Sequence, residues 1–371
     1  MARSSATATG RPRRAATRPT RRLAVRLAAV TLVALVGATA CTVPEPEVPE
    51  PITVTPTISP ARAMPPEPQI PVVWPLTGVP TEEVAQRPAV AVKIENTRAA
   101  RPQSGLESAD VVWETIVEFE VSRLIAVYHS QVPEEVGPIR SVRPMDPLVT
   151  APLRGLLVYS GGQPGILNLV RNLTIQEVSH DAGDAGLYRV SRRAAPHNVY
   201  GNMQAFFDQA DADHSAPPGE QFAFALRPTL ASAVRLGAPA TTLSLRLSGQ
   251  AQPSWSWDAA SGTWLRSEGS SAATDAAGNR LAAVNVVAIT AGHPNSGFGA
   301  QGGAPVPTYE LVGEGDAVLA TGGMTVAVRW SKAAADAPLQ LFLPDGAPAL
   351  LAPGNTWVEL VPAGKGSLTI G

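Results

Sequence analysis

From residue 89 onward short apolar runs recur at 89–94, 111–117, 124–128 and 155–160, each bounded by Pro, Gly, Ser or charged residues. Runs of this length, bracketed in this way, predict strands buried on both faces. A different period follows. Residues 166–173 and 202–210 repeat apolar side chains at helical spacing, the second with Met203, Phe206 and Phe207 on one side. Past about residue 226 that signal fades, and 243–247, 263–266, 284–289, 309–312, 326–330 and 357–361 read as short strands between turn residues. Asp275 to Gly278 and Asp345-Gly346 predict hairpin turns, and the tryptophans at 255, 257 and 264 predict cross-strand packing. The pattern predicts an α+β chain: an N-terminal α/β domain over 75–226 and a β-rich C-terminal domain over 227–371.

The first forty residues are built differently. They hold eight arginines, no lysine and no acid, and the charge stops at Arg26 before the apolar run 27–36. A basic segment, a short apolar core and small residues before a cut are the layout of an export signal. The run falls short of the ~20 residues a bilayer span needs. Ala38-Thr39-Ala40-Cys41 resembles the lipobox of bacterial lipoproteins, with Ala38 where Leu is more usual, so Cys41 is the expected lipidation site. Residues 1–40 are read as a lipoprotein signal peptide. Cleavage after Ala40 of a soluble secreted protein is the alternative, and a twin-arginine route through Arg21-Arg22 stays open.

Between Thr42 and Pro75, 11 of 34 residues are proline, interleaved with glutamates, so 41–74 is expected to be an extended tether. Removing the leader also changes the electrostatics. The whole chain has 29 bases and 31 acids; without the eight leader arginines it has 21 against 31, a net charge of −10. So acidic a body is a poor match for nucleic acid, whose binding rests on phosphate neutralisation by Lys and Arg. Cys41 is the one cysteine, which excludes an internal disulfide and any Cys-based zinc site.

The densest polar segment is Gly137-Pro-Ile-Arg-Ser-Val-Arg-Pro144. Arg140 and Arg143 flank Ser141, and two guanidiniums three residues apart make a fork for a carboxylate or phosphate. The competing reading pairs them with Glu114, Glu118 or Asp146 in a structural network. Residues 156–167 run from a buried strand through Gly161-Gly162 into a helix opened by Pro164, a cradle where backbone N–H groups meet an anion. It has neither the Walker nor the dinucleotide spacing. Ser160 lacks the glycine two residues earlier that a nucleophile elbow needs.

His197, in Ala195-Pro-His-Asn198, is the best proton-transfer side chain, with Asn198 beside it to orient a ligand. Glu114 and Glu118, four apart, would share one strand face as a carboxylate pair. His180, Asp181 and Asp184, and Asp208, Asp211, Asp213 and His214, lack recognised ligand spacing, so neither a metal site nor a cofactor is expected.

Several blocks, in order, carry a resemblance: Pro75 to Gly78, Arg101 to Leu106, Ala109 to Glu114, Ser122 to Ala126, Val136 to Pro144, Gly161-Gly162 and Ala195 to Asn198. In the second half Asn285 to Val287, Gly322 to Trp330 and Pro353 to Glu359 continue it. Together they resemble the YerB-like family of bacterial lipoproteins, a domain of unknown function, over almost the whole chain beyond the leader. The resemblance implies a layered β/β/α-type sandwich with a smaller β-rich companion, and no proven activity. Tyr159 stands where relatives often have His, and Trp113 where Tyr is usual.

The sequence is therefore read as a two-domain protein, lipid-anchored at the extracytoplasmic face of the cell membrane. A polar pocket of Arg140, Arg143, Gly161, Gly162, Asn198 and His197, with Glu114 as a second candidate acid, is expected to bind an anionic cell-wall ligand or envelope protein. An enzyme acting on an envelope glycan or phosphate through the same pocket, and a purely structural scaffold, are the alternatives.

Overall fold

The apolar runs of the N-terminal half become β1 (Val90–Glu95), β2 (Val111–Ile116) and β3 (Ser122–Tyr128), buried along their whole length. The computed structural model describes residues 70–371; the basic leader, Cys41 and nearly all of the proline-rich stretch lie outside the described residues. Strands without an exposed face belong in the middle of a sheet covered on both sides. These three do so, with β3 antiparallel to both β1 and β2. On the other side of β1, β4 (Leu156–Tyr159) and then β5 (Gln176–Ser179) continue the sheet in parallel.

The sheet does not end at β2. Strand Thr356–Pro362 pairs in parallel with β2 and with Asn285–Ala291, and antiparallel strands Gly313–Thr321, Met324–Lys332, Gln340–Phe342 and the short Ala238–Pro239 extend it to 11 strands. One sheet thus crosses the expected boundary at residue 226, and the described residues form a single compact unit. A second, six-stranded sheet includes Thr242–Arg246, Pro253–Asp258, Thr263–Glu268 and Ser367–Ile370. In Thr242–Arg246 the leucines are buried and their neighbours exposed, the alternation of a sheet with one face on a core.

The protein is mostly β-sheet, with short helices. The helix expected over 166–173 is Pro164–Arg171, with Ile166 and Val170 buried. The one expected over 202–210 is Met203–Phe207, capped by Asn202, whose Oδ1 accepts from the Ala205 N–H at 2.9 Å. Two expectations differ. The later half also holds a short helix, Ser232–Leu236. Residues 309–312 form no strand: their backbone makes a single antiparallel bridge, Glu310 with Gly292, while the Tyr309 hydroxyl donates to the Leu360 carbonyl at 3.0 Å and accepts from the Ile116 N–H at 3.2 Å.

The two sheets meet at Arg266, fully buried on Thr263–Glu268. Its Nη1 donates to Glu359 at 2.7 Å, and its Nη2 to Glu114 at 2.5 Å and to Glu268 at 2.8 Å. The guanidinium carbon lies 4.5 Å from the centre of the Trp357 ring and 5.3 Å from that of Trp255. Glu114 and Glu359 are direct cross-strand partners, so one cation bridges two carboxylates that would otherwise repel. Burial and the charge of Glu114 push Glu359 well above the usual carboxylate range. Burial acts the same way on Glu114, but Arg266 and the surrounding hydrogen bonds outweigh it and hold that carboxyl down. The pair keeps one proton.

That proton sets a pH dependence. Above the ordinary carboxylate value of about 4.3, the folded chain holds a proton that the unfolded chain has lost, so stability falls as pH rises, by up to about 1.4 kcal/mol per pH unit. Glu359→Gln imitates the protonated acid and removes this term. Urea unfolding at pH 5, 6, 7 and 8 is expected to show the variant gaining on the wild type as pH rises. Parallel curves for the two proteins would contradict the shared proton.

Candidate functional site

Where β1 and β4 diverge, the segment around Arg140 inserts between their C-terminal ends. The Arg140 N–H donates to the Lys93 carbonyl at 2.8 Å, the Arg140 carbonyl accepts from the Ser160 N–H at 3.0 Å, and the Val142 N–H reaches the Gly161 carbonyl at 3.0 Å. The crevice beyond the carboxyl ends of parallel strands is where open sheets of this kind bind ligands. Here it is a cleft of about 620 Å³, walled by the β1 end, the β2–β3 turn, residues 140–143, the glycine turn after β4 and the loop at Pro196-His197.

β1 reads Val-Ala-Val-Lys-Ile-Glu, so Lys93 and Glu95 share one face. Glu95 is 1 % exposed, and its carboxylate is the meeting point of the cleft. His197 Nδ1 lies 2.9 Å from both of its oxygens, Thr97 Oγ1 donates at 2.8 Å, and Arg140 Nε stands 3.4 Å away. The carboxylate fixes the imidazole with its proton on Nδ1, which leaves Nε2 to face a ligand. The Arg140 side chain is 24 % exposed; among the described residues its polar partner besides Glu95 is the Pro196 carbonyl, at 3.5 Å from Nη1.

Arg143 is placed otherwise. Its Nε donates to Glu118 Oε2 at 2.5 Å while its Nη2 grips Oε1, a bidentate pair, and Arg123 adds a contact to the same oxygen at 3.3 Å. Burial would raise Glu118, but the hydrogen bond from Arg143 and the charges of both arginines overcome it and bring the carboxyl down to about 2. Behind this pair Asp146 accepts from the Arg143 N–H at 2.7 Å and from Lys93 Nζ at 2.7 Å. Lys93 is fully buried; burial lowers its ammonium and Asp146 restores part of the loss, leaving it at about 8.

The expected residues therefore separate. Arg140, His197, Gly161 and Gly162 line the cleft together. Arg143 lines it too, but its fork is filled by Glu118, a correction to the paired-arginine site. Asn198 does not line it; its Oδ1 accepts from Arg189 Nη1 at 2.7 Å and so holds a lining arginine. Glu114 lies in the Arg266 cluster, away from Glu118, because β2 ends at Ile116 and Glu118 belongs to the turn beyond it. Gly161 has φ of +79°, and a Cβ there would meet the Asp181 carboxylate at 2.9 Å, so the turn needs glycine. Sequence reasoning missed Glu95. Its signal was an acid ending a strand that is otherwise apolar except for Lys93.

Three of the residues read as metal-like have structural roles: Asp211 caps the short helix Ala212–His214 and bonds His214, and Asp184 accepts from the Ser179 N–H at 2.7 Å. Among the described residues no group of three or more His, Cys, Asp or Glu side chains is placed to hold a metal ion.

Comparison with known proteins places this geometry in a family. The model described as "Protein of unknown function (DUF3048) N-terminal domain" matches residues 76–216, and the DUF3048 C-terminal domain matches 243–358, one on each side of residue 226. A Bacillus subtilis (strain 168) protein named "Putative lipoprotein YerB" is 37 % identical over 128 residues, which cover 34 % of this chain and 39 % of that protein. The match thus spans about two-fifths of the length of that curated relative. The crystal structure of YerB protein from Bacillus subtilis shares the fold, with a TM-score of 0.68 and 24 % identity over 80 % of this chain and 99 % of the other. With both family models satisfied, the chain belongs to the DUF3048 family, N- and C-terminal domains together.

Proposed function

We propose that this is a lipid-anchored cell-envelope protein that binds a phosphate- or carboxylate-bearing ligand in the Arg140–His197 cleft. The observation that carries the reading is the charge balance of the cleft wall. Four arginines (123, 140, 143 and 189) face three acids (95, 118 and 181), a local positive excess on a chain whose net charge beyond the leader is −10. Glu118 satisfies Arg143, whereas Glu95 is engaged by His197 and Thr97 with Arg140 Nε 3.4 Å away, so Arg140 is left to receive an anion, together with Arg189, whose side chain meets the neutral Asn198 amide. A layered reading of the body accompanies this one, supported by Ile166 and Val170 joining the core from the helix and by Arg266 joining it from the second sheet.

Binding to the folded state raises stability by mass action, by about 2.7 kcal/mol at a ligand concentration one hundred times Kd. Phosphate or sulfate is therefore expected to raise the melting temperature by several degrees. Arg140→Gln should abolish the rise and leave the fold intact. Arg143→Gln instead leaves the buried Glu118 carboxylate with Arg123 alone and should cost about 2–3 kcal/mol, less than the loss of a sole partner. A melting curve flat in anion concentration for the wild type would leave only the scaffold reading.

The sequence of the leader and the lipoprotein name of the relative support the membrane attachment; among the described residues no helix is long and apolar enough to cross a membrane. We place the anchor at Cys41 on the extracytoplasmic face. Cys41→Ala is expected to release a folded protein from washed membranes; retention in the membrane fraction would refute the anchor.

The Glu95–His197 pair favours a second reading, an enzyme that transfers protons on a phosphorylated envelope glycan. In that case His197→Gln should retain anion binding and lose turnover of a phosphomonoester sugar. Equal turnover by wild type and variant, or none by either, would remove it.

A further inference from the structure

The turn between β2 and β3 is held in a conformation that its residues do not favour. Phe119 has φ of 62° and ψ of 22°, and Glu120 follows with φ of 59°, two consecutive non-glycine residues in the left-handed region. The turn is clasped rather than relaxed: Val117 N–H donates to Val121 at 2.9 Å, Ser248 Oγ to the Glu120 carbonyl at 2.6 Å, and Gly249 N–H to the Glu120 carboxylate at 3.2 Å. The result is a phenylalanine 62 % exposed to water. Strain and an exposed aromatic ring at a cleft edge together point to a contact that the chain itself does not make.

A second cleft, of about 550 Å³, lies on the other side of this turn and shares Glu118 and Phe119 with the arginine cleft. Its walls include Leu247, Pro305, Pro307 and Pro362, and it carries Arg246 and Lys365 beside two carboxylates that already have partners, Glu118 on Arg143 and Glu120 on the Gly249 N–H. Both cations are exposed, and neither pairs with a carboxylate among the described residues; Lys365 Nζ reaches only the His293 carbonyl, at 3.3 Å. Cationic groups thus stand on both sides of one exposed aromatic face. A ligand that fits has anionic groups separated by a unit with an apolar face, which describes a sugar between two phosphates. Nucleic acid also alternates in this way, but the net charge of −10 disfavours it.

We propose that the two clefts form one groove for a phosphate-bearing glycan chain, a sugar lying on Phe119 while successive phosphates meet Arg140 on one side and Arg246 with Lys365 on the other. The inference rests on the anion-binding reading of the Arg140 cleft and deepens it.

The test is titration calorimetry on the full chain, without its leader, with four probes: inorganic phosphate, a phosphodiester-linked N-acetylglucosamine trimer, a thymidine trinucleotide and tripolyphosphate. The glycan trimer is expected to bind at least tenfold tighter than each of the other three. Phe119→Ala should weaken the trimer about tenfold, and Phe119→Gly should do the same while raising the melting temperature by relieving the turn. Arg246→Gln with Lys365→Gln should weaken the trimer and leave phosphate unchanged. If phosphate binds but the trimer binds no tighter, or if Phe119→Ala is without effect, the groove is wrong and the Arg140 cleft stands. Equal or tighter binding of the trinucleotide or of tripolyphosphate overturns the glycan. No binding of phosphate or trimer fells the Arg140 cleft and the groove with it.

Discussion

The structure turns on one buried cation. Arg266 is sandwiched against Trp357 and Trp255 and hydrogen-bonded to Glu114, Glu268 and Glu359, and through those groups the six-stranded sheet is fastened to the middle of the large one. Removing such an ion from water is costly, and the cost is offset only when its hydrogen bonds are satisfied. Here they come from β2, from its parallel partner Thr356–Pro362 and from the arginine's own strand, so the cluster forms only once distant parts of the chain have come together. The same clustering fixes β2 against its neighbours, and β2 carries the turn that presents Glu118 and Phe119.

From that turn the logic of the cleft follows. Glu118 uses both oxygens on Arg143 and shares one of them with Arg123, while Asp146 holds Lys93 and the Arg143 backbone, so the floor is an ion network already complete. Glu95, on β1, is engaged by Thr97 and His197, and Arg140 Nε stands 3.4 Å from it without a hydrogen bond. The difference between these two carboxylates divides a pair of arginines three residues apart into one that holds the wall and one that faces the cleft. Spacing alone treats them alike.

Much of the architecture was legible because it is written locally. Unbroken apolar runs marked the buried strands, helical spacing marked Pro164–Arg171, and Asp345-Gly346 turned where expected, with Gly346 at φ of 85°. What could not be read is what depends on remote partners. Nothing near β2 announces that Thr356–Pro362 will lie beside it, and the i, i+4 spacing of Glu114 and Glu118 suggested a shared face that the turn after Ile116 destroys. Residues 309–312 have strand-like composition, yet their backbone pairs at one bridge alone, Glu310 with Gly292. At the cleft the chemical types were legible and their pairings were not. Arg140, His197 and the two glycines stood out as polar or permissive residues among apolar ones, whereas Glu95 looked like the ordinary end of a strand.

The central claim, that Arg140 is a cation open to an anion in this cleft, is tested most directly by locating an anion there. Crystals of the body soaked in tungstate, a heavy analogue of phosphate, would give an anomalous signal at any occupied oxyanion site. The account predicts a peak within hydrogen-bond distance of Arg140 and of His197 Nε2, absent from crystals of Arg140→Gln. Tungstate bound elsewhere, with the Arg140 cleft ordered and accessible but free of anomalous signal, would contradict it.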